Sequence, residues 1–159
     1  MTISPKFVFS HPAHFFAFGF GAGLSPYAPG TVGTLVAFPL FFLLRGLDPA
    51  IYFILAAVLY AAGVWFCDVA GKSLGVPDHG GIVWDEIVAM LLVLHSAPQT
   101  PAGFVTAFLL FRLFDIWKPF PIRYADRRIH GGFGVMFDDL LAAVYAIAGL
   151  LFLVRWGVI

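Results

Sequence analysis

The sequence predicts an all-α, polytopic membrane bundle, and three observations lead there. Of 159 residues, 61% are hydrophobic and only 11% charged, with a mean hydropathy of +0.94. Soluble domains average about 45–50% apolar and about 25% charged residues. The apolar stretches recur from Thr31 to Ile159 instead of forming one tail. The charges, in turn, sort by side once the stretches are laid out as spans.

Five apolar segments can be drawn: 31–44, 50–67, 82–95, 101–117 and 140–156. Crossing a bilayer takes about 20 residues. The second and fifth are long enough. The first and third are short, so they are expected to tilt, extend into polar flanks, or enter the membrane and return. Pro39 is expected to kink the first segment. Upstream, 15–24 is apolar but interrupted by Gly19, Gly21 and Gly23, which does not read as a signal peptide. The length allows one domain over 1–159, with four to five membrane segments and no separate soluble module.

With all five segments spanning and the N-terminus inside, Lys6, Lys72, Lys118, Arg123, Arg127 and Arg128 fall on the cytoplasmic side. Arg45 and Arg155 fall outside, so the positive-inside rule favours this orientation. Eight of the nine carboxylates then gather at the cytoplasmic end, with only Asp48 outside. One active site at that membrane surface would require such a gathering.

Net charge is zero, and the bases are interspersed with acids, so no nucleic-acid footprint is visible. The single cysteine, Cys67, rules out an intramolecular disulfide. It also lacks the arginine of a Cys-x5-Arg phosphatase loop, since position 73 is Ser73.

Asp85-Glu86 sits at the head of the apolar run 87–94. A charge at bilayer depth costs at least about 2.5–3.5 kcal/mol, so two adjacent carboxylates need a cation or donors. The plainer reading is an interfacial pair solvated by headgroups. Asp138-Asp139 repeats the arrangement at the start of the last segment, where acids can also complement a helix dipole. Two acid pairs on one face favour a shared divalent cation, and carboxylate oxygens suit Mg²⁺. The histidine and cysteine clusters of a zinc site are missing.

Arg112 and Asp115 are spaced i, i+3, and Lys118 lies three residues further on. An intrahelical ion pair is the plain reading; a phosphate held beside a metal is the functional one, Arg being the preferred bidentate phosphate ligand. The glycine- and proline-rich stretch 19–34 offers Ser25, Gly30, Thr31 and Thr34 as anion-binding candidates, with Thr31 a candidate cap of the first helix. It lacks the Gly-Lys-Ser/Thr of a Walker A loop. Gly131, Gly132 and Gly134 read as a second flexible loop, while Asp126, Arg127 and Arg128 could contact anionic headgroups. His11, His14, His95 and His130 read as structural or interfacial, while His79 stands next to Asp78 in a loop near the proposed site, one neighbour being thin support for a role.

Four stretches together resemble the phosphatidylglycerophosphatase A family: 21–34, Asp78-His79-Gly80-Gly81-Ile82-Val83-Trp84-Asp85-Glu86, 111–122 (Phe-Arg-Leu-Phe-Asp-Ile-Trp-Lys-Pro-Phe-Pro-Ile) and 131–139. His79-Gly80 and Ala89 depart from the pattern without removing a proposed ligand. The resemblance implies Mg²⁺-dependent conversion of phosphatidylglycerophosphate to phosphatidylglycerol at the bacterial inner membrane. The expected site has Asp85, Glu86, Asp138 and Asp139 on the metal, with Asp115 a further ligand or the base. Arg112, Lys118, Ser25, Gly30, Thr31 and Thr34 would meet the phosphate. The expected partners are the phospholipid and the bilayer, with no nucleic acid; nothing points to a protein partner. A covalent phosphoaspartate route stays open. A cation- or proton-coupled transporter is the alternative from another class, since intramembrane acids also mark ion paths. An assembly subunit without chemistry ranks last, because it leaves both acid pairs without a role.

Overall fold

The computed structural model describes residues 3–159, and among these the regular structure is entirely helical. Two short helices, α1 (Pro5–Val8) and α2 (Pro12–Ala17), and a 3-10 stretch (Gly19–Leu24) precede the first long helix, α3 (Pro29–Leu44). Then follow α4 (Pro49–Leu74), α5 (Trp84–Ser96), α6 (Pro101–Trp117), the short α7 (Ile122–Arg128) and α8 (Gly131–Arg155). The five expected segments are therefore the five long helices.

Local chemistry sets several of the boundaries. Asp48 and Thr100 cap α4 and α6, accepting from Ala50 N (2.8 Å) and Gly103 N (3.0 Å), each ahead of a proline in the first turn. Gly75, left-handed at φ 69°, closes α4, with Val76 N donating to Gly71 O. Thr31 is not the cap of α3: Ala28 occupies that position, and Thr31 lies inside the first turn. Helix α3 continues past Pro39 to Leu44.

Two boundaries differ from expectation, the second for a packing reason. Helix α4 runs to Leu74, taking Asp68 and Lys72 into the helix as an i, i+4 ion pair of 2.6 Å. Helix α8 begins at Gly131, so the expected glycine loop is its first turn, and Asp138-Asp139 lies about two turns inside. A Cβ on Gly132 would run into the Val64 carbonyl of α4, so this glycine lets two backbones touch.

Helix α5 is the buried centre: Ile87, Val88, Met90, Leu91, Val93 and Leu94 have essentially no exposed surface. Its 13 residues reach only about 20 Å at 1.5 Å rise each, short of the roughly 30 Å hydrocarbon core. Helix α8 packs along α4, α5 and α6 through Ala142, Ala143, Ala146 and Leu150. Helices α4 and α8 are long and apolar enough to cross a membrane. Large apolar side chains point outward from α3, α4, α6 and α8, among them Leu43, Ile54, Leu109 and Phe152.

Candidate active site

The packing brings the start of α3, the start of α5, the end of α6 and the first third of α8 to one end of the bundle. Asp85 and Glu86 occupy the first turn of α5, and Asp139 faces them from α8. One carboxylate oxygen from each lies within 4.8 Å of the others. Asp85 is 8% exposed and Asp139 3%. Asp85 Oδ1, Glu86 Oε2 and Asp139 Oδ2 are buried and accept no hydrogen bond from the described residues. Ionised carboxylates so buried are very costly without a counter-charge. The helix α5 N-terminus offers part of one, and a divalent cation among the three would offer the rest.

Cationic side chains flank the trio. The Arg112 guanidinium donates to Glu86 Oε1 at 3.3 Å and pairs with Asp115 on its own helix. Its Nε is buried and donates to no acceptor among the described residues. Lys118 follows the last turn of α6 in a left-handed conformation (φ 46°), so a turn aims it and not the α6 face. Its ammonium pairs with Asp138 and with Asp126, the latter at 2.7 Å. Burial pulls the Lys118 pKa down, but Asp138 and Asp126 outweigh it and hold the ammonium charged above the ordinary lysine range.

Asp138 thus differs from its neighbour. One oxygen faces Lys118 and the other accepts from Asp139 N at 3.1 Å, so it lies outside the trio. Asp115 is likewise engaged by Arg112 and lies outside the trio. Gly30 does belong at the site: a Cβ there would strike the Glu86 carboxylate and crowd Arg112. Thr34 is buried and donates to Gly30 O at 2.8 Å, so its hydroxyl hydrogen is spent inside α3. Ser25 donates to Tyr27 O at 2.8 Å in the loop before α3. Thr31 is half-buried one residue after Gly30.

Sequence reasoning gave Asp78 no role and Asp126 only a headgroup contact. With His130, Gly131 and Asp138 they line a cavity of about 50 Å³ on the Lys118 side. Surrounding protein pushes the Asp78 pKa up, Lys118 opposing and Asp126 and Asp115 adding to the rise. The available signal was the position of Asp78 at the head of the Asp78–Glu86 stretch. Three of the histidines are occupied structurally: His14 bridges Phe7 O and Ser73 Oγ, His79 accepts from Gly81 N, and His95 stacks on Tyr52.

Buried acids able to hold a cation, set beside a guanidinium and an ammonium, form a centre of the kind that handles a phosphorylated anion. Residues 15–154 match the family model for phosphatidylglycerophosphatase A, and the chain belongs to that family. It is 44% identical over 146 residues to phosphatidylglycerophosphatase A of Escherichia coli (strain K12), covering 91% of this chain and 84% of that protein. The Haemophilus influenzae protein of that name is 44% identical over 148 residues, covering 92% and 91%. A Bacteroides thetaiotaomicron protein, provisionally named a phosphatidylinositol-3-phosphatase, is 39% identical over 146 residues, covering 87% and 90%. No solved structure matches the chain significantly. The transporter alternative finds no support in this kinship.

Proposed function

We propose that this protein is a membrane-embedded, Mg²⁺-dependent phosphatase that removes the outer phosphate of phosphatidylglycerophosphate. The observation that carries the proposal is the trio Asp85, Glu86 and Asp139, which bring carboxylate oxygens within 4.8 Å of one another from two helices and each hold a buried oxygen without a partner among the described residues. The names of the relatives supply the substrate.

Asp85, Glu86 and Asp139 would hold Mg²⁺, which takes few protein carboxylates and fills its other positions with water and phosphate oxygens. When bound, the ion supplies Lewis-acid polarisation of the phosphate and a lowered pKa for an attacking water. The protein's own part is largely positioning and charge. Arg112 would present its guanidinium to a phosphate oxygen, held in place by Asp115 and Glu86. Lys118 would supply further positive charge beside Asp138, anchored by Asp126 and Asp138. Asp138 would therefore act by holding Lys118 and Asp115 by holding Arg112. Gly30 would let the Glu86 carboxylate and the Arg112 guanidinium lie directly against the α3 backbone, where any side chain would displace them.

A polytopic bundle in the bacterial inner membrane, with the polar end cytoplasmic, fits the outward apolar faces of α3, α4, α6 and α8 and the positive-inside count. Helix α5 would then sit inside the bundle as a half-depth helix, shielded from lipid by its neighbours. This shielding explains how two acids can sit at its head.

The test is phosphate release by purified full-length protein in detergent, from phosphatidylglycerophosphate and, separately, from phosphatidylinositol 3-phosphate. Release from the first that stops with EDTA and in Asp85→Asn supports the reading. Preference for the second would move the substrate to the inositol lipid. Release from neither lipid, by folded protein supplied with Mg²⁺, sinks the phosphatase.

A further inference from the structure

Beyond the acid trio, the end of α6 and the face of α7 enclose a groove of about 400 Å³. Its charged members are Lys118, Arg123 and Arg127, and its aromatic members Trp117, Phe120 and Tyr124. The three aromatics are strongly exposed; Phe120, at 80%, is among the most exposed large apolar side chains of the described residues. Arg123 is oriented by donating to Trp117 O at 3.1 Å. Among the described residues no carboxylate pairs with Arg123 or Arg127, whereas Lys118 and Arg112 are both paired. The groove therefore carries uncompensated positive charge beside apolar rings, the surface that an anion on an apolar tail would complement.

Lys118 is the wall between this groove and the catalytic end, because its ammonium also contacts Asp138, the neighbour of Asp139. The two lipids named for the relatives share one chemical feature. Each joins its diacylglycerol through an inner phosphodiester and carries a separate outer phosphomonoester. Resting on the phosphatase reading, we infer that the α6–α7 groove binds the inner phosphodiester of the substrate itself through Arg123 and Arg127, while the outer phosphate lies at the acid trio. Trp117, Phe120 and Tyr124 would take the glycerol-ester region above it. The enzyme would thus select lipids with two phosphates over those with one, whatever alcohol lies between them.

The experiment compares wild type, Arg127→Gln and Arg123→Gln/Arg127→Gln in neutral mixed micelles, on phosphatidylglycerophosphate and on phosphatidic acid. Phosphatidic acid offers the monoester without the diester. Losing charge-assisted bonds to the diester should lower kcat/KM for phosphatidylglycerophosphate at least about ten-fold more than for phosphatidic acid. The single variant, which spares the Arg123–Trp117 contact, should fall in the same direction. Equal falls on both lipids, or no fall, overturn the inference. Added phosphatidylglycerol should compete through its diester; if it instead activates wild type on both lipids, the groove takes a neighbouring lipid and the inference fails. Should wild type hydrolyse neither lipid, the phosphatase reading is lost, and retention of phosphatidylglycerol on the purified protein decides the groove separately. Retention above that of diacylglycerol and abolished in the double variant keeps a diester site, and equal retention removes it.

Discussion

The two ends of the bundle bury polar groups in opposite ways. At the far end, Tyr52 donates to Leu91 O at 2.8 Å and stacks on His95, while Phe41 packs edge-on against Tyr52 and Phe104. The polar atom there has its partner, and the rest is aromatic packing. At the near end, Asp85, Glu86 and Asp139 each keep a buried oxygen without a partner among the described residues. The same helices α3, α5 and α6 run between both ends, so the difference is not one of scaffold. A folded chain tolerates unmet carboxylates where something else is meant to meet them, and stability is commonly sacrificed at such sites.

The sharpest way to break this comparison is to neutralise the trio. Asp85→Asn and Asp139→Asn should each lower phosphate release at least about 100-fold. In EDTA, both should melt at or above the wild-type temperature, because a buried like-charge cluster is relieved. A lower melting temperature in EDTA would mean that these acids are structural.

Mg²⁺ sharpens it from the other direction. Titration should raise the melting temperature of wild type, as any ligand of the native state does, and should not raise that of Asp139→Asn. A rise of equal size in both would place the ion elsewhere.

Two glycine substitutions should separate the functional end from the packing beside it. Gly30→Ala drives a methyl group into the Glu86 carboxylate, so activity should fall about ten-fold or more with a smaller change in stability. Gly132→Ala drives one into the Val64 carbonyl and should cost about 1–3 kcal/mol of stability. Activity assays and detergent melts on both variants check the split.

The smallest effects belong to the far end and to Lys118. Tyr52→Phe should cost about 0.5–1.5 kcal/mol and leave phosphate release within about two-fold of wild type. Lys118 has a folded pKa above its ordinary 10.5, so its stabilising contribution is complete below that pH and is lost as pH rises toward the folded value. Wild type should therefore lose melting temperature above pH 10.5 by more than Lys118→Met does.

Much of this was legible in one dimension. The five long helices follow from apolar run length, because helix formation is local and each run is long enough to carry one. The candidate acids were legible too, since a carboxylate beside an apolar run stands out. The start of α8 was not: three glycines within four residues read as a loop until the close approach of α4 gives them a reason to be helical. The division of labour within Asp138-Asp139 was also hidden, because two adjacent acids look alike until Lys118, 20 residues away in sequence, claims one of them.

The sequence by itself determined the helical class, the apolar character and the family kinship, all properties of composition, period and short motifs. Only the tertiary structure decided which three carboxylates converge, that Arg112 reaches Glu86, and that Arg123 and Arg127 share a groove with exposed aromatics. The physical reason is that burial and charge pairing depend on distances between elements far apart in the chain. Those distances exist only once α8 has packed along α4, α5 and α6.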